Sequence, residues 1–463
     1  MDIFFLCLSL FYSLFCLFNY FLRRRNQSCF MLAYECFKPP EDRKLDTDSC
    51  ARIVLRNQNL GLEEYRFLLK VIVSSGIGEN SYCPKNIVEG REENPTLEDA
   101  LQELDESMFD TLDKLFERTG FSPSEIDILV VNVSMFATSP SLTSRIINRY
   151  KMREDVKAFN LAGMGCSAST IAIDLVQQLF KTYENSLAIV VSTESLAPNW
   201  YSGKSRNMML SNCLIRSGGC SMLFTNNKTL KHRAILRLKL LSRTHLGAND
   251  EAYGCCLQVE DEQGKQGLYL KKSLVEAAAQ ALEANLRDVV PKILPLWELV
   301  KLSMIYFQQS KMNKGQTKNL MGEVLNLKSG IEHFCLHPGG RAVIDQIGKG
   351  LGLNGYDLEP TRMTLHRWGN TSAGGLWYVL GYMEAKKRLK KGDRVLMIGL
   401  GAGFKCNSCV WEVTRDLEDS NVWKDCLDNY PPNTPRNAYR EKYSWLHEEY
   451  LSFVRFDFSK LIA

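Results

Sequence analysis

The opening of the chain is patterned unlike the rest. From Ile3 to Leu22 nearly every residue is Phe, Leu, Cys or Tyr and none is charged, and a run of about 20 such residues crosses a bilayer as a helix. Arg23, Arg24 and Arg25 follow directly. Positive residues stay on the cytoplasmic side, so the pattern predicts an N-terminal membrane anchor with the bulk of the chain in the cytosol. A cleaved signal peptide would need a basic n-region and small residues at a cleavage site. Met1-Asp2 lacks the first, and the three arginines stand where the second should be. A buried core helix would show a polar face, and this segment has none.

Beyond the arginines the pattern is that of a folded domain. Pro39-Pro40 and the run Glu41 to Lys44 read as a linker off the membrane. Leu62 to Val73 is predicted helical and ends at Ser74-Ser75-Gly76. From Thr96 to Thr119, Leu97, Leu101, Leu104, Met108, Leu112 and Leu115 recur at three- and four-residue spacing, an amphipathic helix stopped by Gly120. Ile126 to Val133 is a continuous apolar run of buried-strand type. Then follow a helix (Ser141 to Tyr150), a strand (Val156 to Leu161), a helix (Ser167 to Phe180) and strands at Leu187 to Val191, Leu214 to Phe224 and Ala234 to Thr244. The rhythm returns with a helix from Ser273 to Leu286 and a Pro-rich turn. An irregular stretch including Lys311 to Lys318 follows, read as a loop. A strand (His333 to His337), two helices (Arg341 to Lys349, Leu376 to Lys390) and a strand (Val395 to Leu400) close the pattern. Alternating strands and helices in two similar halves predict a duplicated α/β core. The expected division is an anchor at 1–25, a linker and cap at 26–95, one half at 96–260, the other at 261–414, and an extension at 415–463 to which no role is assigned.

Composition narrows the classes. With 45% hydrophobic and 24% charged residues the chain is neither disordered nor fibrous. A net charge of +4 without long basic blocks gives nucleic-acid binding little support. Fifteen scattered cysteines, an odd number, suggest reduced thiols and not a disulfide framework.

Among those cysteines, Cys166 stands apart in Asn160-Leu161-Ala162-Gly163-Met164-Gly165-Cys166-Ser167. Small residues surround it and an apolar helix follows, so the helix dipole should lower its thiol pKa toward neutrality. Glycines allow close substrate approach, and first-turn amides can hold an oxyanion. That describes a nucleophile, but a buried structural cysteine fits the local sequence equally well. Four of the six histidines fall in compact clusters: His245 in Arg243-Thr244-His245-Leu246-Gly247, His333 and His337 before Pro338-Gly339-Gly340, and His366 in Leu365-His366-Arg367-Trp368-Gly369-Asn370. The spacing of His333 and His337 imitates a metal pair on a helix, but the following Pro-Gly-Gly makes this a strand end. His337, at the turn, is the better placed for chemistry. Gly399 to Phe404 follows a strand and could press backbone on a substrate or simply form a tight turn. Gly350, Gly352 and Gly355 follow a helix, which is the wrong context for nucleotide binding. Cys406 and Cys409 form a single pair, which argues against zinc.

Taken together, these segments resemble the plant-type 3-ketoacyl-CoA synthases, the condensing enzymes of membrane fatty-acid elongases. The likeness runs through YCPKNIV, ILVVNVSMF, PSLTSRIINRYKMRED, NLAGMGCSAS, NWYSGKSRNMMLSNCLIRSGG, RTHLGAND, EDEQGKQG, HPGGRAVID, TLHRWGNTSAGGLWY and GDRVLMIGLGAGFKCNS, from about residue 30 to about residue 414. The resemblance implies a thiolase-type fold of two α/β halves in five layers, a homodimer, and substrates that are a long-chain acyl-CoA and malonyl-CoA. It implies Cys166 as nucleophile with His337 and Asn370 as catalytic partners, His245, His333 and His366 as supporting residues, and no metal or redox cofactor. It further implies other elongase subunits as partners and an endoplasmic-reticulum membrane location. The family often has two N-terminal membrane helices where one is read here. Ala162 and Ser169 depart from the usual pattern around the nucleophile. A polyketide-synthase-like condensing enzyme of the same fold, without need of an anchor, and a non-catalytic scaffold of an elongase complex are the rival readings.

Overall fold

The computed structural model describes residues 28–301, 326–432 and 437–448. The expected anchor at Ile3–Leu22 and the loop at Lys311–Lys318 lie outside the described residues. Among those that are described, no helix is long and apolar enough to cross a membrane.

The strands are β1 (Phe30–Cys36), β2 (Lys44–Leu45), β3 (Ser81–Tyr82), β4 (Ile128–Asn132), β5 (Lys157–Leu161), β6 (Leu187–Thr193), β7 (Gly219–Thr225), β8 (Leu236–His245), β9 (Cys256–Glu260), β10 (Gln266–Leu270), β11 (His333–Leu336), β12 (Arg394–Gly401) and β13 (Lys405–Val413). Nine of them form one mixed sheet in the order β11-β12-β13-β8-β1-β7-β6-β4-β5. Its seam is narrow: β1 meets β8 only through Phe30 opposite Arg237 and Met31 opposite Leu236. On either side of the seam the same pairing repeats. β1 runs antiparallel to β7, β7 antiparallel to β6, and β6 parallel to β4. β8 runs antiparallel to β13, β13 antiparallel to β12, and β12 parallel to β11. The duplication expected from the rhythm of the sequence is thus present in strand pairing.

Two apolar helices, Ala168–Leu179 and Gly375–Ala385, pack on strands of both halves. Every residue of Gly375–Ala385 is buried, as a helix that is apolar all round requires. Side chains from both halves and both helices make one central core, including Ile173, Leu380, Val190 and Met397. The outer face of the first half carries Leu97–Thr119 and Leu142–Tyr150 over Leu129 and Ile189. The outer face of the second carries Leu274–Ile293 and Arg341–Gly350 over Leu396 and Ile398. Helix, sheet, helix, sheet, helix is the layer order anticipated.

The boundaries needed correction. The stretch read as a linker contains β1, buried in the middle of the sheet. β8, assigned to the first half, pairs along its length with β13 of the second. Leu214 ends a helix, Arg206–Leu214, and β7 begins only at Gly219. The helix expected to stop at Leu286 runs to Ile293 with Pro291 inside it. Cys406 and Cys409 face different cores from β13, and all thirteen cysteines among the described residues are free.

The stretch after Thr414 has a structural part to play. Trp423 is fully buried, and its indole N–H donates to the Tyr378 carbonyl at 3.0 Å. Edge contacts with Tyr382 at 4.9 Å, Tyr430 at 5.4 Å and Trp368 at 5.9 Å surround it. Truncating a buried tryptophan costs about 3–5 kcal/mol. Trp423→Ala should therefore lower the denaturant midpoint by a corresponding amount, measured by circular dichroism with an unchanged slope.

Candidate active site

Four loops meet at the C-terminal ends of β5, β11 and β12. The first leaves β5 through Gly163 and Gly165, both at φ +69°, into the short turn Gly165–Ser167 that leads into the central helix Ala168–Leu179. A side chain at Gly165 would lie 2.6 Å from the Ala402 amide nitrogen. Only glycine lets the Cys166 loop seat against the β12–β13 hairpin. The Gly399–Phe404 segment is therefore both of the things its sequence allowed: a turn between strands, and backbone pressed against the cysteine loop.

Cys166 is half-buried. The Ser372 hydroxyl lies 3.7 Å from its sulfur, and the Asn370 side chain acts to lower the thiol pKa. Asn370 is held from two directions. Its backbone bridges to Ile215, with its N–H donating to the Leu214 carbonyl at 3.0 Å and its own carbonyl accepting from Arg216 at 2.9 Å. Its side-chain oxygen accepts the Ser372 N–H at 2.9 Å, which leaves the NH₂ end for the sulfur. Ser372 sits at φ +52°, a conformation that costs a non-glycine residue energy and is tolerated where neighbours over-determine it. Its hydroxyl also lies 3.1 Å from the Glu194 carboxylate, and its single proton serves one partner at a time. Glu194 is buried and accepts the Ser134 and Met135 amides at 3.1 and 2.9 Å. Burial raises its carboxyl pKa, while the Met135 amide, the Ser372 hydroxyl and further amides pull it down.

His337 follows β11 directly, and its N–H donates to the Ile398 carbonyl of β12 at 2.9 Å. The next β12 residue, Gly399, packs against Ser167. His337 and the cysteine loop thus occupy the same end of β12. The imidazole lies over Gly339, where a side chain would meet it at 2.9 Å. It is buried, and its Nδ1 has no hydrogen-bond partner. Desolvation drives its pKa down to about 4, so the ring is neutral at pH 7.

The other three histidines lie elsewhere. His333 begins β11, four residues from His337 and about 13 Å away along a strand, where its Nε2 meets the Asp393 carboxylate at 2.9 Å. His366 packs edge-on to Tyr430, with Nδ1 3.1 Å from the tyrosine hydroxyl, and crowds Gly78. Both are fastened to scaffold groups and not gathered round Cys166. His245 is exposed at the end of β8, opposite Lys405, and accepts the Gly247 N–H at 2.9 Å. It belongs to the rim.

One electrostatic expectation is overturned. Desolvation pushes the Cys166 thiol up to about 11; Glu194 adds to the rise, while donation from Ser372 and Asn370 opposes it. A helix terminus is worth about 0.3–1 kcal/mol, less than the burial of an anion costs. Alkylation of Cys166 by iodoacetamide, followed by peptide mass spectrometry, should therefore quicken about tenfold per pH unit from pH 7 to 10, since the thiolate is the reactive form. A rate that levels off near neutrality would contradict this account.

Reading for nucleophiles and histidines missed Glu194 and Ser372. Ser372 lies two residues after Asn370 in the same family-like segment, and its sequence carries no signal of its backbone conformation. Glu194, a lone acid directly after the apolar strand Leu187–Thr193, was a usable clue.

Residues 20–312 match the family model described as FAE1/type III polyketide synthase-like protein, and residues 326–413 match that of the 3-oxoacyl-[acyl-carrier-protein] synthase III C terminus. The chain is 57% identical to 3-ketoacyl-CoA synthase 19 of Arabidopsis thaliana, over 96% of each chain. The chain belongs to the 3-ketoacyl-CoA synthase family. The same plant's 3-ketoacyl-CoA synthases 12 and 3 are each 54% identical, both matching over 97% of this chain and covered over 98% and 97% of their own lengths. The fold is shared with the C-terminal type III polyketide synthase domain of Steely1, a type I/III hybrid from Dictyostelium. That domain is 15% identical with a TM-score of 0.65, covering 84% of this chain and 99% of that one.

Proposed function

We propose that this member of the 3-ketoacyl-CoA synthase family condenses a long-chain acyl-CoA with malonyl-CoA, the first step of very-long-chain fatty-acid elongation. The observation that carries this reading is the near-full-length likeness to the three plant synthases. The Cys166, Asn370 and His337 geometry supplies groups suited to each step. The Cys166 sulfur attacks the acyl thioester carbon, the carbon–sulfur bond to CoA breaks, and the thiol proton leaves with CoA. Malonyl-CoA then loses carbon dioxide, and its thioester oxygen takes the negative charge beside the Asn370 amide and the neutral imidazole of His337, two buried, uncharged donors. The enolate carbon attacks the acyl-cysteine, forming the new carbon–carbon bond and expelling the Cys166 sulfur as a thiolate, which takes a proton from solvent to restore the thiol. The product is a 3-ketoacyl-CoA two carbons longer. His245 acts, in this reading, only from the rim, and His333 and His366 as scaffold. Membranes containing the chain, given radiolabelled malonyl-CoA and long-chain acyl-CoA, should yield labelled 3-ketoacyl-CoA; absence of product with every acyl-CoA would defeat the reading.

The Ile3–Leu22 run with its three arginines supports anchoring in the endoplasmic-reticulum membrane with the catalytic domain in the cytosol. Carbonate-washed microsomes should retain the protein in the pellet, and full release would rule the anchor out. A homodimer, other elongase subunits and freedom from metal or redox cofactors complete the proposal, on the strength of the resemblance.

A further inference from the structure

Three of the seven large apolar side chains left exposed among the described residues fall in one five-residue stretch: Leu296 at 77%, Trp297 at 60% and Val300 at 45%. Single exposed apolar residues are ordinary, but a contiguous group marks a contact surface. The stretch follows the helix Leu274–Ile293, and the Pro295 carbonyl opens a helical turn by accepting the Glu298 and Leu299 N–H groups at 3.1 and 3.2 Å. This turn is inverted in polarity. Glu298 is buried and Leu299 packs on the core of the second half, while the leucine, the tryptophan and the valine are the residues left outside.

The sheet fixes where this patch lies. The Ile293 carbonyl, just before it, is 3.5 Å from Arg394 Nη1 at the start of β12. Arg394 stands opposite Glu412 of β13, Glu412 opposite Arg237 of β8, and Arg237 opposite Phe30 of β1. Three strand spacings, about 14 Å, therefore separate Arg394 from Phe30. The chain enters the fold at that point, where the Leu238 N–H already donates to the Cys29 carbonyl at 2.9 Å. Arg25 precedes Cys29 by four residues, which span at most about 14 Å. The apolar patch and the chain entry share one end of the sheet. The Cys166 loop packs on Gly401, at the other end of β12.

The patch end of the sheet is also basic. Lys228 and Lys231 lie on the turn between β7 and β8, Lys391 just before β12 and Arg415 just after β13. All four are exposed, and none has an ion pair among the described residues. The neighbouring carboxylates are engaged: Glu412 by Lys239 at 2.9 Å, Asp416 by Lys390 at 3.2 Å and Glu418 by Lys387 at 3.3 Å.

We propose that this end of the domain seats on an anionic phospholipid bilayer, with Leu296, Trp297 and Val300 in the headgroup boundary and Lys228, Lys231, Lys391 and Arg415 against lipid phosphates. This rests on the N-terminal anchor proposed above and adds a second contact, made by the folded domain itself. A bilayer is the occupant that fits. Tryptophan is enriched at the membrane interface, where its ring is covered and its N–H stays wet. Each unpaired lysine near an anionic surface strengthens binding roughly fivefold. A tether of four residues leaves no room for another large body between this end and the membrane.

The test uses full-length protein reconstituted in vesicles of phosphatidylcholine with and without phosphatidylserine, with bound protein separated by flotation. A benzophenone amino acid replaces Trp297 or, as a control, Tyr253, which is 54% exposed beyond the far end of β8. On irradiation, position 297 should join to phospholipid at least about tenfold more than position 253, read by mass spectrometry. Omitting phosphatidylserine, or combining Lys228→Glu with Lys231→Glu, should cut the 297 adduct by roughly fivefold or more. Lys391→Glu, outside that turn, should lower it in the same direction, and thermal melting should be unchanged in each variant. Protein that floats but gives equal adducts at the two positions would overturn the proposal and leave the anchor standing. An adduct at 297 indifferent to phosphatidylserine and to charge reversal would overturn it as well. Protein that does not float at all would defeat the anchor, and this surface with it.

Discussion

Cys166→Ser should abolish acyl transfer and condensation together, by about 10³-fold or more. A serine hydroxyl is far less acidic than a thiol, and among the described residues no base hydrogen-bonds to the side chain at position 166. The groups that touch the sulfur, the Ser372 hydroxyl and the Asn370 amide, are donors to it. Glu194 is the nearby carboxylate, and it is occupied by the Ser134 and Met135 amides. The protein should remain folded, because serine is smaller than cysteine and the site is half-buried. Intact-mass measurement after incubation with acyl-CoA should show an adduct on the wild type and none on the variant. A serine variant that keeps substantial elongation, or a wild type that carries no adduct on the peptide containing Cys166, would end the case for this nucleophile.

The parts of the fold that could be read from the sequence are those whose cause is local. Ile128–Asn132 is legible because both faces of β4 are buried, so no alternation is needed. Leu97–Thr119 is legible because its periodicity and its Thr96 and Gly120 caps coincide. β1 was not, although Phe30–Cys36 is as apolar as β4. Its partners, β7 and β8, lie about 180–210 residues away. Gly355–Trp368 escaped because Pro360 sits inside it, and a proline reads as a break. The site divides the same way. Cys166, Asn370 and His337 are marked by glycine-rich surroundings and by the family likeness. The thiol's raised pKa and the Glu194–Ser372 contact depend on what the fold brings near, which no local window contains.

Asn370 is the residue where geometry sharpens an expectation taken from sequence. A role confined to the malonyl thioester would leave acyl transfer untouched when the amide is lost. Because the Asn370 side chain also acts on the Cys166 thiol, lowering its pKa, both steps must feel its removal, and unequally. In Asn370→Ala the sulfur keeps the Ser372 hydroxyl and the Cys166 backbone N–H, so acylation should slow by no more than about tenfold. The enolate loses one of two, and loss of one such donor costs about 10²–10³ in rate. Asn370→Asp adds a charge. One carboxylate oxygen can still accept the Ser372 N–H, as the amide oxygen does at 2.9 Å, and the other then faces the sulfur. Two negative charges about 4 Å apart repel by roughly 4 kcal/mol at an effective dielectric of 20, about a factor of 10³. The aspartate variant should therefore fall below the alanine variant in both steps. It raises the thiol pKa further and opposes the developing enolate. Single-turnover acylation read by mass spectrometry, set beside carbon dioxide release from labelled malonyl-CoA, separates the two rates. Equal losses in acylation and decarboxylation in the alanine variant would show that Asn370 serves only to place Cys166, and an aspartate variant as active as alanine would remove the electrostatic argument altogether.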